Sequence, residues 1–251
     1  RIGLYGVMNI EKFHDTGDST YYRRALLQTQ YFRDTSNLDY KYGGKGVALP
    51  YLFDYKELKA NWYSGLAQGL AISFLLRYSE LTGDRSFYPL IQKMAYFMIQ
   101  PESTGGTVSY SPKGGTWVEE YANRKGSRQV LNGSNIAWIG MHEYCLFFPK
   151  DTAVAKVRDD MLATLISSLE KYNLPTWCRY NQSGQHCSPS YLRLHVFQML
   201  DLYEITGETK FLRQLRIWAM LLSARKIEKN TRGVFLNEHF IFARSATRGT
   251  H

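Results

Sequence analysis

The sequence is short of three things: cysteine, long apolar runs, and acidic residues to balance the basic ones. The three cysteines among 251 residues show no metal-binding spacing, so no metal site is expected. Cys178 and Cys187 could form a disulfide in an oxidising compartment, and free buried thiols are the equal alternative. No apolar run approaches the length of a membrane span, so we expect no transmembrane segment in this chain.

The shortage of acidic residues leaves the protein basic and favours a polyanionic partner. Lys and Arg number 31 against 22 Asp and Glu, a formal net charge of +9. No basic run, helix-turn-helix, RRM or zinc-finger signature is present, so we expect no nucleic-acid partner. The 19 tyrosines suit an acidic polysaccharide instead. Aromatic faces can cover sugar rings, while Arg and Lys bind carboxylate or sulfate groups.

Three short segments have nearly the same sequence, and each lies between two apolar-periodic runs. They are Thr-Gly-Asp at 16–18, Thr-Gly-Asp at 82–84 and Thr-Gly-Glu at 206–208. The glycine is expected to end one helix in a left-handed C-cap. The acidic residue is expected in the first turn of the next helix, where the helix dipole favours an anion. Each segment therefore predicts the tip of a helical hairpin.

The spacing of these tips predicts the architecture. The interval from Gly83 to Gly207 is about twice that from Gly17 to Gly83, which places a fourth tip near 147–152, where Pro149 interrupts the chain. Such hairpins bury their apolar faces only by stacking or closing into a ring. We predict an all-α dominated fold, an (α/α) toroid or incomplete (α/α) barrel of about four helical hairpins. The alternative is an ordinary helical bundle with chance glycines.

The apolar periodicity predicts eight helices separated by three long loops. The helices are expected at 3–14, 20–33, 62–81, 85–99, 131–147, 152–171, 190–206 and 208–227. Gly65, Ala67, Gly69 and Ala71 give one of these helices a small-residue face for close packing. The loops are 36–61, 101–130 and 172–190, with short β-hairpins expected in the loops, around Val108 and Trp117 among other places. Long loops in a helical domain are usually functional, so we expect them to gather and form a cleft.

Residues 1–251 are predicted to form one domain with an irregular tail at 230–251. Because the sequence starts at Arg1 within a helical pattern, we expect it to be a fragment of a longer protein. The lack of a signal peptide therefore says nothing about export.

Four segments occur in order along the chain: Trp62–Ser73, Glu119–Tyr121, Val130–Gly133, and the Tyr-x3-His-Val-x-Gln pattern at 191–198. Together they resemble the C-terminal catalytic domain of D-glucuronyl C5-epimerases, the heparan sulfate and heparosan enzymes. The similarity spans most of residues 1–220. The resemblance implies an (α/α) barrel domain, which β-rich regions precede in full-length relatives. It also implies an isomerase that needs no cofactor.

The implied reaction inverts C5 of a D-glucuronate unit inside a polymer and gives L-iduronate. One face of C5 loses a proton and the other face gains one, so two acid/base groups must flank the ring. The negative charge spreads into the adjacent carboxylate, which must be neutralised. By resemblance, Glu120 and Tyr191 are the opposed catalytic pair, and Tyr180 is an assisting catalytic tyrosine. Tyr121 matches a further tyrosine that is important in the family. The other candidate substrate-binding residues are Tyr63, Gln68, Arg128, Asn132, Arg179 and His195.

Both catalytic groups would need tuned pKa values. Glu120 would need a raised pKa, from apolar walls such as Trp117, to hold a proton near neutral pH. A tyrosine with its ordinary pKa of about 10 is a poor base at neutral pH. We therefore expect a nearby cation, for which Arg128, Arg179 and Arg193 are candidates.

The sequence departs from the family pattern at two positions. The catalytic and substrate-binding residues named above can also be read as purely structural residues. Leu192 and Asn181 stand where relatives often have His and Asp, which leaves substrate identity open. Tyrosines such as Tyr191 are commonly half-buried core residues, and His195 is equally well a satisfied core histidine.

Two other functions fit the same residues. A polysaccharide lyase begins with the same proton abstraction at C5, and a polyanion-binding module could keep the scaffold without catalysis. Relatives dimerise, so a homodimer is an assembly that the resemblance implies. Polysaccharide modification suggests a Golgi lumen or an extracytoplasmic bacterial space, and the sequence itself leaves localisation open.

Overall fold

The computed structural model describes residues 2–111, 115–125 and 128–224 of the chain. The tail predicted at 230–251 lies outside the described residues. Eight α-helices lie within them, and the predicted all-α dominated fold is confirmed. The helices are α1 (Ile2–Thr16), α2 (Ser19–Arg33), α3 (Gly65–Thr82), α4 (Tyr88–Met98), α5 (Leu131–Phe147), α6 (Thr152–Ser168), α7 (Pro189–Thr206) and α8 (Thr209–Ala224).

Consecutive helices pair into four hairpins. Each odd-numbered helix packs against the even-numbered helix that follows it. The odd-numbered helices also pack against one another in chain order, α1 on α3, α3 on α5 and α5 on α7. Helices α3 and α5 are buried on nearly every face, so they form the centre of the packed layer. This serial packing of hairpins is compatible with the predicted toroid-like fold.

The repeated Thr-Gly-acid segments form the hairpin tips as predicted. Gly17, Gly83 and Gly207 adopt left-handed φ angles of 69°, 75° and 69°. In each tip the glycine N–H bonds to the carbonyl four residues earlier, as Gly83 does to Ser79 at 2.8 Å. The threonine before it also bonds back to the helix, as Thr82 Oγ1 does to the Tyr78 carbonyl at 2.8 Å. The repeat is therefore a shared hydrogen-bond pattern that ends each helix.

The acidic residue of each tip was predicted in the first turn of the next helix. It lies before that helix instead. Asp18 is the N-cap of α2, and its side chain accepts from the Thr20 N–H at 2.8 Å. Asp84 and Glu208 accept in the same way from the N–H two residues further on, at 2.8 and 3.0 Å. A short acidic side chain makes this bond best from just outside the helix. The fourth tip uses Asp151, which caps α6.

Helix α3 begins three residues later than predicted because Ser64 is its N-cap. The Ser64 side chain accepts from the Ala67 N–H, and Trp62 forms a β-bridge with Tyr51 before the helix starts. The predicted small-residue face is confirmed within α3. A methyl group on Gly69 would lie 2.9 Å from the Ala137 Cα of α5, so only glycine allows this approach.

One buried cation joins three helices at the centre of the fold. Arg77 of α3 forms ion pairs with Glu11 of α1 at 3.0 Å and with Glu143 of α5 at 2.5 Å. All three side chains are almost fully buried. Burial disfavours the charged guanidinium, and the two carboxylates outweigh this and raise its pKa.

The long loops contain short antiparallel hairpins, as predicted. β1 (Asp39–Lys41) pairs with β2 (Gly46–Ala48), and β3 (Val108–Tyr110) pairs with β4 (Thr116–Val118). The third loop holds a β-bridge between Arg179 and His186. Among the described helices, none is both long and apolar enough to cross a bilayer.

Candidate active site

The segment after β4 is held between the starts of α3 and α5. The Gly65 N–H of α3 donates to the Glu119 carbonyl at 2.9 Å, and the Ala122 N–H donates to the Tyr63 carbonyl at 3.2 Å. The Ser134 hydroxyl of α5 donates to the Val118 carbonyl at 3.2 Å. These bonds fix the backbone on both sides of the Glu119–Glu120 pair.

The two adjacent carboxyl groups have different environments. Glu119 is fully buried and accepts from the Ser109 hydroxyl at 2.5 Å and from the Gln129 N–H at 2.8 Å. It also lies 3.4 Å from the Arg128 guanidinium. Glu119 therefore fastens β3 and the loop before α5, while Glu120 faces a different set of groups.

The Glu120 carboxyl group lies at the N-terminal end of α5. Asn132 Nδ2 donates to Glu120 Oε2 at 3.4 Å, and the Tyr180 hydroxyl donates to the two carboxylate oxygens at 3.4 and 3.5 Å. A methyl group on Gly133 would overlap this carboxyl group. The first turn of α5 thus approaches Glu120 closely, and its dipole favours the ionised form.

Burial nevertheless dominates the ionisation of Glu120. It raises the pKa of the carboxyl group to about 7, while hydrogen bonds from Tyr121 and Tyr180, the charge of Arg124 and the bond from Asn132 act in the opposite direction. The rise has the direction predicted from the sequence. Near neutral pH the group therefore exists in both protonation states, which is the property of a general acid/base.

Two of the predicted tyrosines extend from Glu120 toward solvent. Tyr180 is buried, and its ring lies 4.8 Å from that of Tyr191, measured between centroids, at an angle of 61°. Tyr191 stands in the first turn of α7, which Ser188 caps, and is 40% exposed. The two tyrosine rings are in contact. Glu120, Tyr180 and Tyr191 therefore form a continuous row.

Both phenols hold their protons more tightly than a free tyrosine. Burial, and then the nearby charge of Glu120, raises the pKa of Tyr180 and of Tyr191. Tyr121, which also hydrogen-bonds to Glu120, has a raised pKa for the same two reasons. The expected cation that would lower a tyrosine pKa does not control these phenols, so at neutral pH they are proton donors.

Two of the predicted arginines make other contacts. Arg128 donates to Glu102 at 2.9 Å and lies near Glu119, and Arg179 donates to the Lys171 carbonyl at 3.2 Å. These bonds stabilise the loops, and they leave the prediction of a substrate-binding role without geometric support.

The cation that acts on Glu120 is Arg124, which the sequence analysis did not single out. Its guanidinium lies 5.2 Å from the ring centroid of Tyr121 and 5.4 Å from that of Tyr55, and it pairs with Glu57 at 2.9 Å. Arg124 is buried, so its charge is poorly screened by water. No motif or spacing in the sequence indicated this position.

A cavity of about 200 Å³ opens beside Glu120. Its walls are mainly aromatic side chains from the first two long loops. They include Tyr51 stacked on Trp62 at 4.1 Å and Tyr55 stacked on Tyr121 at 5.3 Å. The complete lining is Tyr51, Phe53, Tyr55, Trp62, Ser64, Leu66, Glu120 and Tyr121. The third loop supplies Tyr180, which contacts Glu120 and is not part of this lining, so the cleft between all three loops stays a prediction.

Three predicted substrate-binding side chains have structural contacts instead. The Tyr63 hydroxyl donates to Asp39 at 2.5 Å. The amide of Gln68 is fully buried and bonds to main-chain groups of β2 and α4 at 2.9 and 3.3 Å and to the N–H of Leu49 at 3.0 Å. His195 is also fully buried, and burial lowers its pKa to about 3. These contacts give no support to a substrate-binding role for the three residues, which stays a prediction.

Asn132 keeps its predicted place and also connects two helices. Its side chain contacts Glu120, and its carbonyl accepts from Gln198 Nε2 of α7 at 3.1 Å. The Gln198 Oε1 atom accepts from Asn135 of α5 at 3.1 Å. The start of α5, which holds Glu120, is thereby fixed relative to the helix that carries Tyr191.

Comparison with known proteins identifies a family for most of the chain. Residues 43–220, more than half of the chain, match the sequence profile of the family described as D-glucuronyl C5-epimerase C-terminus. Glu120, Tyr180 and Tyr191 lie within the matched range. An uncharacterized protein of Methanocaldococcus jannaschii is 27% identical over 213 residues, which cover 79% of this chain and 67% of that protein.

Proposed function

Because this chain belongs to the D-glucuronyl C5-epimerase family, we propose that it inverts C5 of D-glucuronate units within an acidic polysaccharide to give L-iduronate. The single observation that supports this best is the row formed by Glu120, Tyr180 and Tyr191. It combines a carboxyl group whose pKa is about 7 with two neutral phenols, the nearer one at 3.4 Å. Such a row can both accept and deliver a proton.

In the proposed first step, ionised Glu120 removes the proton from C5. The electron pair of the broken C–H bond moves into the adjacent uronate carboxylate and forms an enediolate. In the second step the Tyr191 hydroxyl donates its proton to the opposite face of C5, and the electron pair returns to form the new C–H bond. The sugar is then inverted, Glu120 is protonated and Tyr191 is a phenolate.

Tyr180 supplies the route by which the enzyme returns to its starting state. Its hydroxyl donates to Glu120 at 3.4 and 3.5 Å, and its ring packs against that of Tyr191. After the sugar leaves, Tyr180 can give its proton to the Tyr191 phenolate and take the proton held by Glu120. No net proton is consumed, as an isomerisation requires.

The enediolate needs positive charge or hydrogen-bond donors nearby. The start of α5, with Asn132, and the guanidinium of Arg124 lie around Glu120 and supply both. The aromatic cavity beside them offers flat faces for sugar rings. The net charge of +9 favours an anionic polymer over a neutral one.

The test is incubation of the protein with heparosan in D₂O, followed by mass spectrometry and NMR of the recovered disaccharides. We expect deuterium at C5 of the uronate and the appearance of L-iduronate. Glu120→Gln and Tyr191→Phe should each reduce exchange by at least about 100-fold, the usual size of an acid/base contribution. Tyr203→Phe, the same substitution further along α7, serves as the matched control and should exchange like the wild type.

Two results would contradict the proposal. Ultraviolet absorbance from an unsaturated uronate would indicate a lyase, which expels the substituent at C4 after the same proton abstraction. Salt-sensitive binding of glucuronate polymers without any exchange would indicate a polyanion-binding module.

A further inference from the structure

A second cluster of reactive side chains is formed by residues that are close in sequence to Tyr180 and Tyr191. Cys178, Cys187 and His195 each offer a ligand atom, and these atoms lie within 4.8 Å of one another. All three residues are buried. The proposed proton transfer uses none of them.

The two cysteines face each other across the third loop. The Cys187 N–H donates to the Cys178 carbonyl at 3.1 Å, next to the β-bridge between Arg179 and His186. The Cys187 carbonyl accepts from the Trp177 indole at 2.8 Å. The backbone therefore holds both thiols on the same side of the loop.

The imidazole of His195 enters this cluster from α7. Its Nδ1 atom lies 3.5 Å from the Cys187 sulfur, and a thiol is a weak hydrogen-bond partner. Burying an imidazole whose Nδ1 atom has only this weak partner is unfavourable, so a stronger partner at Nδ1 is indicated.

Zinc fits the chemistry and the dimensions of the cluster. Thiolate and imidazole are its preferred ligands, with Zn–S and Zn–N bonds of about 2.3 and 2.0 Å. Tetrahedral angles between such bonds separate sulfur and nitrogen by about 3.5 Å. The observed separation of Cys187 Sγ and His195 Nδ1 is the same 3.5 Å.

We propose that Cys178, Cys187 and His195 bind one zinc ion. Both thiols release their protons to solvent when the ion binds, and a water molecule or small thiol supplies the fourth ligand. The ion joins the loop that carries Tyr180 to the helix that carries Tyr191. Zinc binding is measured without substrate, so this proposal stands or falls separately from the epimerase proposal.

The test uses protein purified under reducing conditions without a metal-affinity step, stripped with a chelator and titrated with zinc chloride against a chromogenic chelator. We expect one zinc per chain and a rise in the thermal unfolding midpoint. Cobalt(II) should give the absorption bands of a tetrahedral thiolate site. Cys178→Ser and Cys187→Ser should each weaken zinc binding by at least about 100-fold, since each removes a ligand.

Cys145→Ser is the matched control. Cys145 is a buried cysteine of α5 outside this cluster, and its replacement should leave zinc affinity unchanged. Failure of the reduced wild type to bind zinc at one equivalent would overturn the proposal, whether or not the variants fold. Isolation of a Cys178–Cys187 disulfide that binds no zinc after reduction would overturn it as well, and so would unchanged affinity in both serine variants.

Discussion

Replacing Glu120 by glutamine should make the protein more stable at neutral pH while it removes activity. The carboxyl group has a pKa of about 7 when folded against 4.5 in its ordinary state. Between these values the unfolded chain has lost the proton that the folded chain retains, so rising pH favours unfolding. Because Glu120 is buried, solvent does not reduce this difference.

The size of the effect follows from the two pKa values. A difference of 2.5 pKa units corresponds to a loss of about 3 kcal/mol in the free energy of unfolding once the pH exceeds about 8. At about pH 5.5 the same linkage gives a loss of about 1 kcal/mol. Glutamine has nearly the same shape and carries no charge, so Glu120→Gln should be free of this loss.

Urea unfolding followed by far-UV circular dichroism at several pH values measures the difference. The stability advantage of Glu120→Gln over the wild type should grow from about pH 5.5 to pH 8 and then level off. Glu204→Gln, the same change at an exposed position of α7, should stay within about 0.5 kcal/mol of the wild type throughout. A constant difference across this range, or a less stable Glu120→Gln protein at about pH 8, would refute the reasoning.

Three further changes test the packing around the site. Gly133→Ala introduces a methyl group that overlaps the Glu120 carboxyl group; it should destabilise the protein by about 1–3 kcal/mol in urea unfolding and lower deuterium exchange, and unchanged exchange would contradict the close approach. Arg77→Met leaves two buried carboxylates without their cation; a loss of about 3–5 kcal/mol is expected at neutral pH, and a loss below about 1 kcal/mol would exclude a stabilising role. Trp62→Ala removes an aromatic wall of the cavity; KM for heparosan should rise at least about 5-fold with kcat little changed, whereas the opposite pattern would place Trp62 in the chemical step.

The helical hairpins were predictable because their signals are local. A Thr-Gly-acid segment carries its own hydrogen bonds, from Thr82 to the preceding turn and from Asp84 to the following N–H. Helix ends were less predictable where a side chain shifts the boundary. Ser64 moves the start of α3 past Trp62 and Tyr63, which the apolar pattern had included in the helix.

The site was predictable only where a motif fixes both position and direction. Glu120 and Tyr180 lie in contact, and the catalytic roles that the family resemblance implies for them stay predictions. Gln68 lies in a matching motif too, yet its amide is consumed by main-chain groups of β2 and α4. A motif gives the place of a residue along the chain, and the direction of its side chain depends on elements that pack later.

The functional candidates that the sequence did not indicate are brought into position by contacts of the long loops. Arg124 acts on Glu120 because the first loop brings Glu57 and Tyr55 against the second. The cluster of Cys178, Cys187 and His195 matches no motif spacing, and it forms only because the third loop folds back on α7. Sequence spacing carries no signal for either arrangement.

The ionisation of Glu120 also indicates why a carboxyl group occupies this position. Glutamine could accept from the Tyr180 hydroxyl and from Asn132 with the same shape, and without the loss of about 3 kcal/mol near neutral pH. A purely structural role would therefore be filled better by the amide. A buried residue that lowers stability in this way is expected where its proton is used. If Glu120→Gln proves more stable and inactive in exchange, the same substitution will have shown both the cost of the carboxyl group and its use.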